Sequence, residues 1–244
     1  LVSPTGAGAA KTWTMAMDSN GPDAHQTYTV EMGSSVRAMK FTYGMFTGLT
    51  LNFGPQEATL QGTMIGRALT DGITLTATPA TVAMVPIAVP EIACFVADTQ
   101  AGLAGASALT RFLSGSWAVT NRRGPVWAIN QSQTVPRSFV ADVELPPTIE
   151  ARLLLAADSV GMGLLTTMTT NATKWLRFKA TSPIEAQTGT PYSLTIDGAF
   201  RVRDVAQFSD QDGVFAIEWT LEGIHDATWG KANETTLITT VSAL

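Results

Sequence analysis

The chain has 244 residues, a formal net charge of −5, and 14% charged against 45% hydrophobic residues. A charged fraction so far below the roughly 25% of ordinary soluble domains, with an acidic balance, excludes a protein that grips nucleic-acid phosphates through basic side chains. It predicts a subunit that hides surface by assembling, long enough to bury a core as one β domain or as two smaller ones.

Leu1 to Ala10 reads as an arm without a core of its own, and the alternation of Trp13, Met15 and Met17 predicts a short strand that docks on a neighbour. Tyr28 to Met32 is strand-like and ends at Gly33-Ser34-Ser35. Phe41 to Phe46 follows as strand or loop, and Leu49, Leu51 and Phe53 then alternate with Thr and Asn up to Gly54-Pro55. Thr59 to Ile65 extends the meander, Asp71-Gly72 marks a turn, and Ile73 to Thr78 alternates before Pro79, Pro86 and Pro90 punctuate an irregular passage.

A second round begins at Ala93, where an opening strand, a connector of small and basic residues, then an aromatic and a glycine repeat the earlier layout, with Gly48 and Gly115 67 positions apart. This divides the chain into an arm (1–26), a first β module (27–92) and a second (93–244), with duplication as one explanation. Trp117 to Thr120 and Val126 to Ile129 flank Asn121-Arg122-Arg123-Gly124-Pro125, a turn whose cations either meet an acidic patch on a neighbour or are solvated. Phe139 to Leu145 is a strand. After Pro146-Pro147, Thr148 to Asp158 predicts a helix capped by Thr148, resuming from Met162 to Thr170 past Gly161 and Gly163 and flanking the sheet. Leu176, Phe178 and Ala180 form a strand, and Pro183 to Pro191 a loop.

Tyr192 to Gly230 predicts a long β-hairpin, because apolar residues recur near every second position on both sides of Asp212-Gly213, the pair best suited to reverse the chain. Thr235 to Leu244 is β-branched and almost uncharged, so it must be paired to avoid aggregation.

Catalytic and metal-binding patterns are missing. His25 and His225 are the only histidines, and Cys94 stands alone as a buried thiol without a disulfide partner. No Gly-x-Ser-x-Gly elbow accompanies His225-Asp226. Asp210-Gln211-Asp212-Gly213 lacks the remaining acids of a calcium loop, and Gly6-Ala7-Gly8 lacks the third glycine of a dinucleotide loop. We therefore expect no enzyme activity, cofactor or metal. No membrane span is expected, since no apolar run approaches 18 residues, and no signal peptide, since the N-terminus lacks a basic region followed by a long apolar core.

The run from Tyr192 to Ala232 resembles the C-terminal part of the major tail proteins of phages and prophages, the tail tube proteins of long-tailed phages. Tyr28 to Gly33, Phe41 to Gly54 and Ala58 to Leu69 add to the similarity of pattern. The resemblance implies a mainly β, sandwich- or barrel-like module with one flanking helix, whose sheet joins those of its neighbours into a ring-shaped β-barrel. It implies stacked homo-oligomeric rings, hexameric or trimeric and pseudo-hexameric, in a phage tail assembled in the bacterial cytoplasm. Tape measure and tail terminator proteins would be partners, and DNA would pass the lumen without specific binding. On this basis the lumen sheet is assigned to the strands of Leu49, Leu51, Phe53, Trp117 and Trp219, with Thr59 to Ile65. Ring stacking is assigned to residues 1–26 with Trp13, Met15 and Met17, to Gly33 to Phe46, and to the turn of Arg122 and Arg123. Deleting residues 1–17 is then expected to leave a folded subunit that polymerises poorly. Composition equally suits a capsid-decorating or adhesin-like β-sandwich, and the six Trp suit carbohydrate binding if several share one exposed groove.

Overall fold

The computed structural model describes residues 3–17, 27–78, 85–120, 123–126, 138–141, 148–159 and 161–242. In chain order its strands are β1 (Lys11–Met17), β2 (Tyr28–Gly33), β3 (Ala38–Phe53), β4 (Ala58–Ile65), β5 (Ala68–Asp71), β6 (Ile92–Ala97), β7 (Phe112–Thr120), β8 (Arg123–Val126), β9 (Ser138–Ala141), β10 (Thr148–Ala156), β11 (Thr173–Gln187), β12 (Thr190–Val205), β13 (Ser209–Gln211), β14 (Val214–Gly223) and β15 (Asn233–Thr239). Among the described residues one α-helix is present, α1 (Leu164–Thr170). The protein is mainly β, built on one large antiparallel sheet, with β8 and β9 forming a separate pair.

Strand β12 belongs to two halves of that sheet. On one side it pairs β11; on the other it pairs β15 through Ser193–Gly198 and then β14 through Phe200–Val205. One half runs β6–β11–β12–β15–β1, the other β12–β14–β10–β7–β3 with β4, β5 and β2 around β3. Phe53 on β3 and Phe178 on β11 are five steps apart along this ladder, roughly 24 Å if the sheet were flat. Their rings nevertheless stack with centroids 5.0 Å apart. The sheet must therefore fold over at β12 and face itself. Between its halves lies one core that includes Leu51, Trp117, Leu153, Leu176, Phe200 and Trp219. Among the described strands β6 and β4 do not pair with each other, so the fold is open and not a closed barrel.

The hairpin centred on Asp212-Gly213 is present. Gln211 pairs Val214 across it, and both turn residues have positive φ, 53° and 83°, the backbone that a two-residue reversal requires. Beyond β13 the ladder continues from β14 onto β12 with register shifts. The β-branched tail is paired on both sides, as β15 between β1 and β12. Cys94 is fully buried, and burial raises its thiol pKa far above the ordinary value.

Four expectations need correction. Thr148 to Ala156 is a strand, β10, inserted between β7 and β14, with Ile149, Ala151, Leu153 and Leu155 facing the core. Only the second part of the predicted helix exists: a 3-10 turn at Gly161–Gly163 leads into α1. Pro183 does not open a loop, since β11 runs on to Gln187; the proline falls where the register shifts between Thr181 and Glu185, so no ladder bond needs its missing N–H. Ile73 to Thr78 is not a strand, and Arg123-Gly124-Pro125 lies in β8 rather than at a turn tip. Residues 121–122 and 142–147 lie outside the described ones.

Candidate assembly surfaces

Strand β3 has 16 residues, whereas its ladder partner β7 has 9. Its pairing with β7 begins at Gly48, so Ala38 to Phe46 overhangs by about 30 Å at 3.3 Å per residue. Around the overhang, β2 and β5 pair with opposite edges of β3 and make a three-stranded arm. Side-chain alternation gives this arm two unlike faces. Val30, Phe41 and Leu69 sit opposite one another across the three strands, with Met32, Met39 and the single acid Asp71 in the next row of the same face. Glu31, Lys40 and Thr70 lie on the other. Gly66 and Gly44 make room for the Phe41 ring, since a Cβ at either would come within 2.4 or 2.7 Å of it.

Among the described residues the apolar face of the arm is left largely uncovered. Met32 is 46% and Leu69 67% exposed, and Val36 at the β2–β3 tip is 93% exposed. Three strands with one hydrophobic face are about the minimum for independent stability. What holds the arm locally is polar. Arg37 pairs with Asp71, whose Oδ1 also accepts the Gly72 N–H at 2.8 Å, and Glu31 accepts the Thr76 N–H at 2.8 Å.

Those contacts set a pH dependence. The Arg37 bond, then the Gly72 N–H, hold the Asp71 carboxyl below its ordinary pKa; the Thr76 backbone N–H, then its hydroxyl, do the same for Glu31. A depressed carboxyl pKa stabilises the fold above the unfolded value and loses that contribution as pH falls through the folded one. Amide exchange, corrected for the intrinsic rate that itself slows as pH falls, is therefore expected to accelerate in Glu31–Lys40 and Asp71–Thr76 below about pH 4, while β10 and β14 stay protected. Equal acceleration in both regions would show that the carboxylates do not hold the arm.

A second apolar patch lies at the opposite end of the same sheet. Gly48, Thr120 and Thr148 mark the end from which the arm projects, while Phe53, Phe112 and Ala156 mark the other. Val214 to Ala216 is at that far end, beside Ala156. There Phe208 and Phe215 stack with centroids 4.7 Å apart, yet are 50% and 60% exposed. Sequence inspection missed this pair. Alternation places Phe215 on the same side as the buried Ile217, Trp219 and Leu221, so the sequence carried no signal for its exposure.

The residues singled out from the sequence are distributed as follows. Leu51, Phe53, Trp117 and Trp219 are buried in the core and Leu49 packs against it. They lie on β3, β7 and β14 and point inward. The opposite face of those strands presents Thr50, Asn52, Ser116, Glu150, Arg152 and Glu218, with Arg152 paired to both Glu150 and Glu218. Trp13 is buried within its own subunit, donating from Nε1 to the Val241 carbonyl at 2.8 Å, and its strand pairs β15 from Lys11 to Met17. Deleting residues 1–17 therefore also strips an edge from the fold. Met15 is 37% exposed. Arg122 lies outside the described residues. Among the described residues no helix is long and apolar enough to cross a membrane, and no three His, Cys, Asp or Glu side chains are grouped to hold a metal.

No protein-family model matches the chain, and no curated protein matches it. Among solved structures, the tail tube of SPP1, determined by solid-state NMR and cryo-EM, is similar with a TM-score of 0.39 and 9% identity, over 56% of this chain and 75% of that one. A likeness that faint carries no functional argument.

Proposed function

We propose that this chain is a structural subunit that polymerises with copies of itself into the tail tube of a long-tailed phage, a channel for genome delivery. The observation that carries the proposal is the arm with an uncovered apolar face at one end of the sheet and an exposed Phe208–Phe215 stack at the other. Two unlike apolar patches at opposite ends make a head-to-tail contact, which propagates instead of closing as a two-fold dimer does. In this arrangement the arm of one subunit covers the aromatic stack of the next. The open ladder supports lateral joining in the same way, since β4 carries an edge with no described strand partner, while the outer edge of β1 is bonded at Thr12 by Thr5.

In the ring, the polar face of β3, β7, β10 and β14 lines the lumen. The net charge of −5 suits passage of DNA without specific binding. Tape measure and terminator proteins are the partners that follow from the resemblance described above. If residues 27–92 and 93–244 descend from one duplicated module, three chains complete a ring of six; otherwise six chains do.

Negative-stain microscopy of concentrated purified protein tests this. Tubes with a central hole are expected, and class averages give the symmetry. A monomer at every concentration in sedimentation velocity overturns the proposal, and compact oligomers that never stack favour the capsid-decorating alternative.

A further inference from the structure

A cleft of about 500 Å3 opens on the outer face of β11. It lies between the 3-10 turn at Ala101–Ala104 and the turn from Asp226 to Gly230. Trp175, 5% exposed, forms its floor and half-buried Trp229 its wall, with ring centroids 5.0 Å apart at 75°. Asp98, Gln100, Thr173 and Asp226 supply its polar lining. We infer that this cleft binds a neutral saccharide unit.

The cleft is held in shape before any ligand arrives. Asp226 closes its turn from three sides: its N–H donates to the Lys231 carbonyl at 3.0 Å, its carbonyl accepts from Gly230 at 2.7 Å, and its Oδ1 accepts the Trp229 N–H at 2.7 Å. Lys231 Nζ stands 5.0 Å from the Trp229 ring centroid and pairs with Glu234, which fixes the indole from one side. The volume falls within the roughly 300–1,000 Å3 typical of small-molecule clefts, and an aromatic wall with a few convergent polar groups is their usual make-up.

Charge decides between a sugar and a cation. Asp98 is ion-paired with Lys174, and Asp226 has one oxygen taken by a turn N–H. An organic cation needs uncompensated carboxylates beside its aromatic wall, and one face of the Trp229 ring is already taken by Lys231. What remains are acceptor lone pairs on two carboxylates, a side-chain amide and a hydroxyl, the set that matches the hydroxyls of a pyranose. The indole surface receives the sugar's C–H face.

The inference stands on the cleft alone and not on tube assembly. Saturation-transfer NMR and calorimetry with glucose, galactose, rhamnose, N-acetylglucosamine and their short oligomers test it, with choline chloride as the cationic comparison. At least one sugar is expected to bind with Kd near 1 mM, on the order of weak single-site recognition. Trp229→Ala is expected to weaken it about tenfold or more. Because Trp229 packs on Trp175, Gln100→Ala on the rim serves as the variant that cannot disturb the fold, with an expected loss of about threefold. Both variants should assemble as the parent does. Failure of every sugar to bind, binding of choline in their place, or sugar binding unchanged in both variants overturns the inference.

Discussion

Replacing Trp219 with alanine is expected to lower the free energy of unfolding by about 3–5 kcal/mol, measured by denaturant titration of the unassembled subunit. Trp219 is 0% exposed in the centre of β14, with β10 on one side and β12 on the other. Its Nε1 donates to the Gly161 carbonyl at 3.0 Å, which ties the approach to α1 onto the sheet. The site has little freedom to collapse, because a Cβ on Gly161 would already lie 2.1 Å from the Ala156 carbonyl oxygen. Truncation therefore leaves both a cavity and a carbonyl without its donor, and the two costs add. Trp219→Phe should cost less, since it keeps most of the buried ring. A loss below about 1 kcal/mol for the alanine variant would mean that the two halves repack freely.

The double substitution Phe208→Ser with Phe215→Ser is expected to do the reverse: leave the subunit folded and abolish tubes. Each ring is at least half exposed, so the fold loses little. In an interface the pair would hide roughly 200 Å2 of apolar surface, about 5 kcal/mol at 25 cal/mol per Å2. Ordering costs take part of that. A surviving half still raises the concentration needed for assembly by about 100-fold. Sedimentation velocity and microscopy should show monomers at concentrations where the parent forms tubes, with the circular dichroism spectrum unchanged. Tubes at the parental concentration would show that this end of the sheet is not a contact. Leu69→Ser with Met32→Ser, on the arm, should reproduce the effect from the other side of the same contact.

The Asp212-Gly213 reversal could be read from the sequence because it is set by local backbone chemistry: glycine accepts positive φ at no cost and aspartate tolerates it. The pairing of Thr235 to Thr239 could be read because an uncharged β-branched segment has no stable exposed state. The segment from Thr148 to Ala156 misled for the converse reason. Alanine, leucine, arginine and glutamate favour a helix, and Leu154, which faces away from the core, hides the period-two alternation of Ile149, Ala151, Leu153 and Leu155. Two flanking strands with open ladder groups outweigh propensities of a few tenths of a kcal/mol per residue. Among the candidate residues, Leu51, Phe53, Trp117 and Trp219 marked strands correctly, but periodicity alone does not say which side of a strand meets solvent. The uncovered side of the arm was equally invisible, because a strand's apolar side looks the same in sequence whether or not its own chain buries it.

The antiparallel seam of β1 with β15 joins residues more than 200 positions apart. During synthesis at about 5–20 residues per second, the segment around Trp13 emerges tens of seconds before the only described strand it zips to. Throughout that interval its indole has no carbonyl to donate to and its backbone no ladder. This seam is therefore among the last of the described pairings whose two strands have both been made.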